Sequence, residues 1–535
     1  MGAMSERQHT LRSLHLLCCQ PNGSQTGWWR IAAALLSRGA ILALAAAMAW
    51  CGLSVATSGE AVPPPAPLGP LPTGNQLRWH QLEFYGLLHF GLNTFTDREW
   101  GFGDESPALF NPSAFDADQI ATVAAEAGMK GLILVCKHHD GFCLWPTKTT
   151  EHSVRHSPWR GGRGDIVREI AGACRRHGLL FGVYLSSWDR NCAAYGKPAY
   201  LAFYRAQLRE LLTGYGEVFI SWHDGAHGDQ GYYGGARDRR VVDPRTYYRW
   251  PETWALIRRL QPRAVIFSDA GPDVRWCGNE DGSAGEPCWA TLDLADFYPG
   301  TPEMKALTTG DRRGADWAPP ECDVSIRPGW FYHAREDLRV KSVGRLVDIY
   351  FASVGRGGCL DLNVPPDTSG RIHANDAAAL RGMGAWLAAL FATNYTHGAH
   401  ITASNTRGGT NAASTFGPQK LLDGDRTTYW ATDDAVTTAQ VVLDLRRPQW
   451  LSVVQLREYL PLGQRIEGFA LDRWEDQGWH EFFHGTSIGN QRLVRVPRFE
   501  TNRLRLRITQ AAACPALAEL GLFLEPRSAS GDRSP

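Results

Sequence analysis

The chain has 535 residues, which is enough for two or three domains with a large core. It carries 55 Lys and Arg residues and 55 Asp and Glu residues, so its formal net charge at neutral pH is zero. This balance argues against a nucleic-acid partner, because binding to phosphates requires a basic surface.

Residues 1–58 are predicted to be a leader. The apolar run 40–55 is too short to span a bilayer comfortably. Arg30 and Arg38 precede the run and small residues follow it, as in a secretory signal peptide with a long n-region. The mature protein is therefore expected to be secreted or periplasmic, with no stable membrane insertion after cleavage. A retained N-terminal anchor is the alternative, and translation starting downstream of Met1 is another.

A Pro-rich linker is predicted over residues 59–76, and strand and helix signals alternate over residues 77–393. Repeated β–α units imply a parallel sheet, and their number and total length favour a (β/α)8-like barrel over an open sheet. The predicted strands are 85–90, 131–136, 179–185, 217–222, 264–268 and 358–364, and the predicted helices are 116–127, 165–177, 200–213, 247–260 and 342–353.

The character of the sequence changes at about residue 394. Helical periodicity disappears, and alternating runs separated by turn residues predict an antiparallel β-sandwich over residues 394–526. Residues 527–535 are expected to form a disordered tail. The alternating runs are 439–445, 450–457, 468–474, 492–496 and 502–508.

Nine of the 12 cysteines lie beyond the leader. They show no CxxC spacing, so no zinc site is expected, and neither a metal nor another cofactor is predicted. The odd number leaves at least one thiol unpaired unless a bridge joins two chains. A bridge between Cys277 and Cys288 is one pairing that the sequence leaves open.

The most informative segment follows the apolar strand that ends at Trp222. Asp224 comes at the C-terminal end of this strand, beside an indole and directly before Gly225. A carboxylate there is costly to bury without a purpose, and the C-terminal ends of barrel strands are where barrel enzymes carry their chemistry. Asp224 is therefore the candidate nucleophile.

Three histidines are predicted to lie at the same barrel face. His89 ends the first strand, and His138 and His139 follow the second. Side chains alternate along a strand, so the two adjacent histidines point in different directions. His89 alone would be an ordinary core histidine, and the alternative for His138 and His139 is a structural or metal-binding pair, although a third metal ligand is lacking at the usual spacing. Together they favour a shared polar pocket, above which Glu99 and Trp100 of the first loop project.

The Gly-rich loop that follows the strand 264–268 contains the candidates for a second carboxylate. Glu280, Asp281 and Glu286 lie there, although a loop carboxylate is most often solvated surface. Two carboxylates across a barrel mouth, with His and Trp around them, fit glycoside cleavage. One attacks the sugar or positions water, and the other protonates the leaving oxygen.

These segments together resemble glycoside hydrolase family 29, the α-L-fucosidases. The resemblance covers roughly residues 77–390, and its motifs are specific in combination although none is specific alone. The matching segments are His89-Phe90-Gly91, Glu99-Trp100-Gly101, Lys137-His138-His139-Asp140-Gly141-Phe142, Trp188-Asp189, Trp222-His223-Asp224-Gly225 and Gly271-Pro272-Asp273-Val274-Arg275-Trp276.

The resemblance implies a retaining exo-α-L-fucosidase. Asp224 would be its nucleophile and Glu280 its acid/base, with Glu286 in reserve. His223 stands where the family usually has Phe. Trp330 would pack against the C6 methyl group of fucose. The other residues that the resemblance places around the fucose ring are His89, Glu99, Trp100, His138, His139, Tyr184, Trp222 and Arg275.

Two further resemblances refine the expectation. The loop 93–112 and the stretch 278–280 look like the subfamily that acts on α-1,3 and α-1,4 linked fucose, so the implied partner is a fucosylated oligosaccharide or glycoprotein glycan. Residues 412–430 resemble the discoidin-like module of carbohydrate-binding module family 32. The alternatives are a catalytically inactive fucose-binding protein, a broad-linkage fucosidase and another barrel glycosidase. The sequence leaves open the oligomeric state and whether the C-terminal module binds sugar or calcium.

Overall fold

The computed structural model describes residues 62–301, 304–409 and 415–526. The predicted leader and the predicted C-terminal tail lie outside these residues. Among the helices of the described ranges, none combines the length and the apolar character needed to cross a bilayer.

Eight parallel strands close into a barrel in which each strand pairs with its neighbours in sequence and the last pairs with the first. The predicted (β/α)8-like barrel is confirmed. The strands are β1 (Phe84–Leu88), β2 (Gly131–Lys137), β3 (Leu180–Leu185), β4 (Ile220–Trp222), β5 (Val265–Ser268), β6 (Val274–Trp276), β7 (Pro320–Ser325) and β8 (Cys359–Asn363).

Capping residues fix where several of the helices around the barrel begin. The Asp116 and Asp165 side chains accept hydrogen bonds from backbone N–H groups three residues later, and Ser342 does the same. The helices are α1 (Gly74–His80), α2 (Leu92–Thr96), α3 (Ala117–Glu126), α4 (Ile166–Arg176), α5 (Ala199–Gly214), α6 (Trp250–Leu260), α7 (Met304–Thr309), α8 (Val343–Ser353) and α9 (Ala374–Phe391).

The C-terminal domain is a seven-stranded antiparallel sheet with the order β10-β15-β11-β14-β12-β13, and β9 also pairs with β11. Two pairs of predicted runs are each parts of one long strand, and a register shift between Asp444 and Gln449 separates the two halves of β11. The strands are β9 (His400–Ala403), β10 (Trp430–Ala431), β11 (Ala439–Glu458), β12 (Ile466–Glu475), β13 (Gly478–Gly485), β14 (Arg492–Ala511) and β15 (Ala516–Phe523).

The sheet packs directly against the barrel. Val453, Leu493 and Phe523 of the sheet belong to the same apolar cluster as the barrel helices. At the N-terminal end of the barrel strands, the Asn490 side chain donates a hydrogen bond to the His80 carbonyl at 3.0 Å. The interface is therefore both apolar and hydrogen-bonded.

The described part of the predicted Pro-rich linker also contacts the C-terminal domain. The Leu68 N–H donates to the Leu462 carbonyl at 3.0 Å, and the Arg407 guanidinium donates to the Pro63 carbonyl at 2.6 Å. A third bond joins the Arg465 guanidinium to the main chain of this segment. The chain thus runs along the C-terminal domain before it enters the barrel.

Candidate active site

A cavity of about 480 Å³ lies at the C-terminal ends of the barrel strands. This is the end of the barrel at which loops after the strands converge. Ten of the predicted site residues line it: His89, Glu99, Trp100, His138, His139, Tyr184, Trp222, Asp224, Glu280 and Trp330.

Asp224 is held by two hydrogen bonds directly after β4. Its Oδ2 accepts a bond from the Tyr184 hydroxyl at 2.8 Å, and its Oδ1 accepts one from the Ala226 backbone N–H at 2.7 Å. Burial raises the pKa of Tyr184 well above its usual value, so its hydroxyl keeps its proton and acts as a donor. The Asp224 side chain remains 25% exposed, so the carboxylate is oriented yet accessible from the cavity.

The three histidines form one buried cluster beside Asp224, and burial lowers the pKa of each ring, to about 4 for His89. His89 Nδ1 lies 2.8 Å from the Asn363 side-chain oxygen, which only accepts, so this nitrogen carries the proton. His139 Nδ1 lies 2.7 Å from Ser186 Oγ, which itself donates to the Trp188 carbonyl. In His89 and His139 the remaining Nε2 atom is therefore an acceptor, which suits a sugar hydroxyl.

Trp222 forms the floor of the cavity. Its ring stacks on Phe267 with centroids 4.3 Å apart, and its indole N–H donates to Glu321 at 2.7 Å. Glu321 also accepts a bond from the Tyr85 hydroxyl, and burial raises its pKa to about 7. The hydrogen bond to the buried Glu321 carboxyl thus fixes the orientation of the Trp222 indole next to Asp224.

Glu280 and Glu286, the two candidates for the second carboxyl, lie in different environments. Glu280 lines the cavity and accepts a hydrogen bond from the Trp330 indole at 3.3 Å. Partial burial raises the pKa of Glu280, and the negative charge of Asp224 raises it further. Glu286 is absent from the cavity lining and pairs with the Arg492 guanidinium. The cavity therefore contains Glu280 and not the reserve candidate.

Glu99 joins the first barrel loop to the loop after β7. Its carboxylate accepts backbone bonds from Trp330 at 2.8 Å and Phe331 at 3.3 Å, and it contacts the His333 ring. Trp100, the next residue, is 53% exposed at the mouth of the cavity. Glu99 thus lines the cavity and also fixes the position of Trp330.

Arg275 does not line the cavity, which corrects its placement as a fucose contact. Val274 and Trp276 face the barrel interior, so Arg275 on the same strand faces outward. Its fully buried guanidinium donates to the carbonyl groups of Leu307, Ala318 and Trp289, and burial lowers its pKa to about 10. Its contacts are structural.

His223 is also turned away from the cavity. Its ring lies between the Tyr204 hydroxyl at 2.7 Å and Ser221 Oγ at 2.9 Å, outside the barrel interior. Burial lowers the pKa of His223 to about 3, so the ring is neutral. It therefore adds no charge beside Asp224.

Three carboxyls that line the cavity were not predicted from the sequence: Asp229, Asp269 and Asp323. Asp269 follows β5 and accepts a hydrogen bond from the Gly300 N–H at 2.8 Å, and burial raises its pKa to about 7. Asp323 lies on β7 and accepts a bond from the Trp276 indole at 2.6 Å. Position at a strand end was a usable signal for Asp269. The other unanticipated lining residues are Leu87, Trp188, Gly225, Ala226, His227, Gly228, Phe267, Trp276, Gly300, Thr301 and Met304.

The nine cysteines of the described ranges are free thiols, including Cys277 and Cys288, which lie together with Cys322 in one buried cluster. Within the same ranges, no group of three or more His, Cys, Asp or Glu side chains is arranged to hold a metal ion.

A closed parallel barrel with two carboxyl groups, neutral histidines and indole rings at its C-terminal mouth defines the class of barrel glycoside hydrolases. The α-L-fucosidase family model matches residues 75–390. The Arabidopsis thaliana protein named α-L-fucosidase 1 is 42% identical over 473 residues, which are 88% of this chain and 90% of that protein.

Two solved structures are similar over most of their length. A glycoside hydrolase 29 family member from a rumen bacterium has a TM-score of 0.77 at 41% identity, over 87% of this chain and 79% of that chain. A Ruminococcus gnavus family 29 fucosidase in complex with fucose has a TM-score of 0.78 at 29% identity, over 88% and 98%. The chain belongs to the α-L-fucosidases of glycoside hydrolase family 29.

Proposed function

We propose that this protein is a retaining exo-α-L-fucosidase that releases fucose by double displacement. One observation carries the proposal: two carboxyl groups with opposite properties share one cavity. Asp224 is oriented by hydrogen bonds from Tyr184 and the Ala226 N–H, whereas the raised pKa of Glu280 favours the protonated acid. The cavity is a pocket at the barrel mouth, which fits a terminal sugar.

Glu280 acts in both steps of the reaction, first as the protonated acid and then as the deprotonated base. As an acid, Glu280 protonates the glycosidic oxygen while Asp224 attacks the anomeric carbon, so the bond to the leaving sugar breaks and a fucosyl–Asp224 ester forms. As a base, Glu280 then takes a proton from water, and the water oxygen displaces Asp224. The Nε2 atoms of His89 and His139 accept hydrogen bonds from the sugar hydroxyls and orient the ring.

The proposed substrates are α-1,3 and α-1,4 fucosylated oligosaccharides or glycoconjugates. The loop 93–112 supports this linkage by resemblance. The cavity also continues past the predicted fucose contacts to His227, Asp229, Thr301 and Met304, which leaves space for a neighbouring sugar. Hydrogen bonds to that sugar that strengthen in the transition state raise the rate, at about 1.36 kcal/mol for each tenfold gain.

The test is proton NMR of the sugar first formed from an α-fucoside, followed by a comparison of two substrates. Initial α-fucose is expected, and initial β-fucose would contradict retention. By kcat/KM, Lewis-type trisaccharides should be cleaved at least about tenfold faster than 2′-fucosyllactose. Equal rates would remove the linkage proposal and leave fucosidase activity in place.

The predicted leader supports the further proposal that the protein is exported, with a mature chain that begins after about residue 55. An intact Met1 in the mass spectrum of the native protein would reject cleavage. The C-terminal domain is proposed to be a discoidin-like module on the resemblance of residues 412–430. Binding of the full protein to immobilised glycans, with Asp224→Asn preventing turnover, tests whether it has a second sugar site.

A further inference from the structure

The loop that carries Glu280 runs from the end of β6 to the short strand Thr291–Leu292. Its first half is a compact turn organised by Asn279, whose side-chain oxygen accepts bonds from the backbone of Asp281 and Ser283. The amide group of Asn279 donates back to the Ser283 carbonyl at 2.8 Å. The turn is thus ordered internally, but these bonds do not attach it to the rest of the protein.

The second half of the loop is held partly by the barrel, whose residues bond to the main chain of Ala284, Gly285 and Trp289, and partly by side chains of the C-terminal domain. Ser487 Oγ accepts a bond from the Cys288 N–H at 2.9 Å. The Gln464 side chain accepts from the Ala290 N–H at 2.9 Å and donates to the Cys288 carbonyl at 3.0 Å. These three bonds involve alternate residues of the loop, as the bonds of a neighbouring β-strand would.

An ion pair adds a fourth attachment to this half of the loop. Arg492 of β14, whose side chain is 5% exposed, pairs with Glu286. Since Glu286 and Cys288 follow Glu280 closely in sequence, the C-terminal domain adds these four contacts to the bonds by which the barrel holds the same part of the loop.

We infer that the C-terminal domain takes part in catalysis by positioning the acid/base loop, with Gln464 and Ser487 as its positioning residues. The inference rests on the proposed role of Glu280. Proton transfer requires hydrogen-bond geometry, and a shift of about 1 Å can cost on the order of a hundredfold in rate. Without the C-terminal domain, the second half of this loop would lose the four contacts made by Ser487, Gln464 and Arg492.

The test compares the full-length double variant Gln464→Ala/Ser487→Ala with the wild type on two substrates. A 2,4-dinitrophenyl fucoside has a leaving group that needs no proton, whereas a methyl fucoside needs one. Because kcat/KM reports on the steps up to the first bond cleavage, it isolates acid catalysis from the later use of Glu280 as a base. Asn490→Ala is the matched control, since it removes another amide-to-main-chain bond of this interface, made to a carbonyl outside the loop that carries Glu280.

We expect the double variant to lose at least about fivefold in kcat/KM on the methyl fucoside and less than about twofold on the dinitrophenyl fucoside, with Asn490→Ala within about twofold on both. Equal losses on the two substrates, no loss, or the same pattern in Asn490→Ala would overturn the inference. Glu280→Gln is measured in parallel. If Glu280→Gln shows no dependence on the leaving group, the proposed acid/base itself is wrong, whatever the loop variants do.

Discussion

At the scale of single residues, the two proposed catalytic carboxyl groups, Asp224 and Glu280, differ in what surrounds them. Asp224 accepts bonds from a tyrosine hydroxyl and a backbone N–H, both of which stabilise negative charge. Glu280 has one indole donor at 3.3 Å and a raised pKa. The same functional group is thereby suited to attack in one place and to proton donation in the other.

Replacing Asp224 with Asn should lower kcat/KM by about a thousandfold or more, because an amide is a far poorer nucleophile than a carboxylate. Tyr184→Phe removes one hydrogen bond to this carboxylate and should lose less, about ten- to a hundredfold. Steady-state kinetics on an aryl fucoside measures both, and circular dichroism checks the fold. Wild-type-like turnover in the Asn variant is incompatible with the assignment.

Trp330→Phe should move the alkaline limb of the kcat/KM profile to higher pH. The Trp330 indole donates to the charged form of Glu280 and so lowers its pKa. Removing this donor raises the pKa of Glu280, so the acid stays protonated to a higher pH. The lost contact with the sugar changes the height of the profile and not the position of this limb. A limb that shifts downward, or does not shift, would show that Glu280 does not control it.

At the scale of elements, the sequence predicts five of the nine helices of the described ranges and misses the long helix α9, three short helices and two barrel strands. Asp116, Asp165 and Ser342 are capping residues that mark helix starts in the sequence itself. In contrast, β6 has only three residues, which is too short for a clear pattern. Strand β7 contains Pro, and its Glu and Asp side chains interrupt the apolar pattern expected of a buried strand. The sequence thus concealed the strand that carries Glu321 and Asp323.

The same limits decide which site residues sequence reasoning found. Residues in strand-end motifs, such as His89 and Asp224, were placed correctly in the cavity. Arg275 was expected in the cavity but lies outside it. Because β6 was not predicted, the sequence did not indicate which side of that strand Arg275 occupies. His227 comes from a long loop, whose course no local pattern determines, and Met304 begins the short helix α7, which was not predicted.

The bridge between the loops after β1 and β7 makes an element-scale prediction. The His333 ring contacts Asp97 with one nitrogen and Glu99 with the other, and it does not line the cavity. His333→Ala should raise KM about three- to tenfold, because the Trp330 wall of the cavity loses its support. Arg335→Ala is the control, since Arg335 also pairs with Asp97 but at the surface. Unchanged KM in His333→Ala would exclude this supporting role.

At the scale of the whole molecule, the two domains and the N-terminal segment form one interlocked unit. The segment is held by one backbone bond and by the Arg407 and Arg465 side chains of the C-terminal domain, and Gly463 allows a close approach there. A Cβ atom at Gly463 would lie 2.1 Å from the Leu68 carbonyl oxygen, whereas one at Gly424 would meet no atom within 4 Å. Both glycines have a positive φ.

Gly463→Ala should therefore destabilise the protein more than Gly424→Ala. Gly463→Ala must place alanine at φ 87° and ψ 166°, a region adopted almost only by glycine, and must also displace the N-terminal segment, whereas Gly424→Ala meets a positive φ alone. Differential scanning calorimetry of the full chain gives the comparison. Equal unfolding midpoints for the two variants would mean that the segment adds nothing measurable to stability.

The docked N-terminal segment also has a consequence for the order of events during synthesis. Pro63 bonds to Arg407, which lies 344 residues later. At roughly 5–20 residues per second, the ribosome needs about 17–70 s to make this stretch. The N-terminal segment is therefore synthesised before the C-terminal domain to which it binds. It can form its native contacts only after the C-terminal sheet has folded, so these contacts are among the last to form.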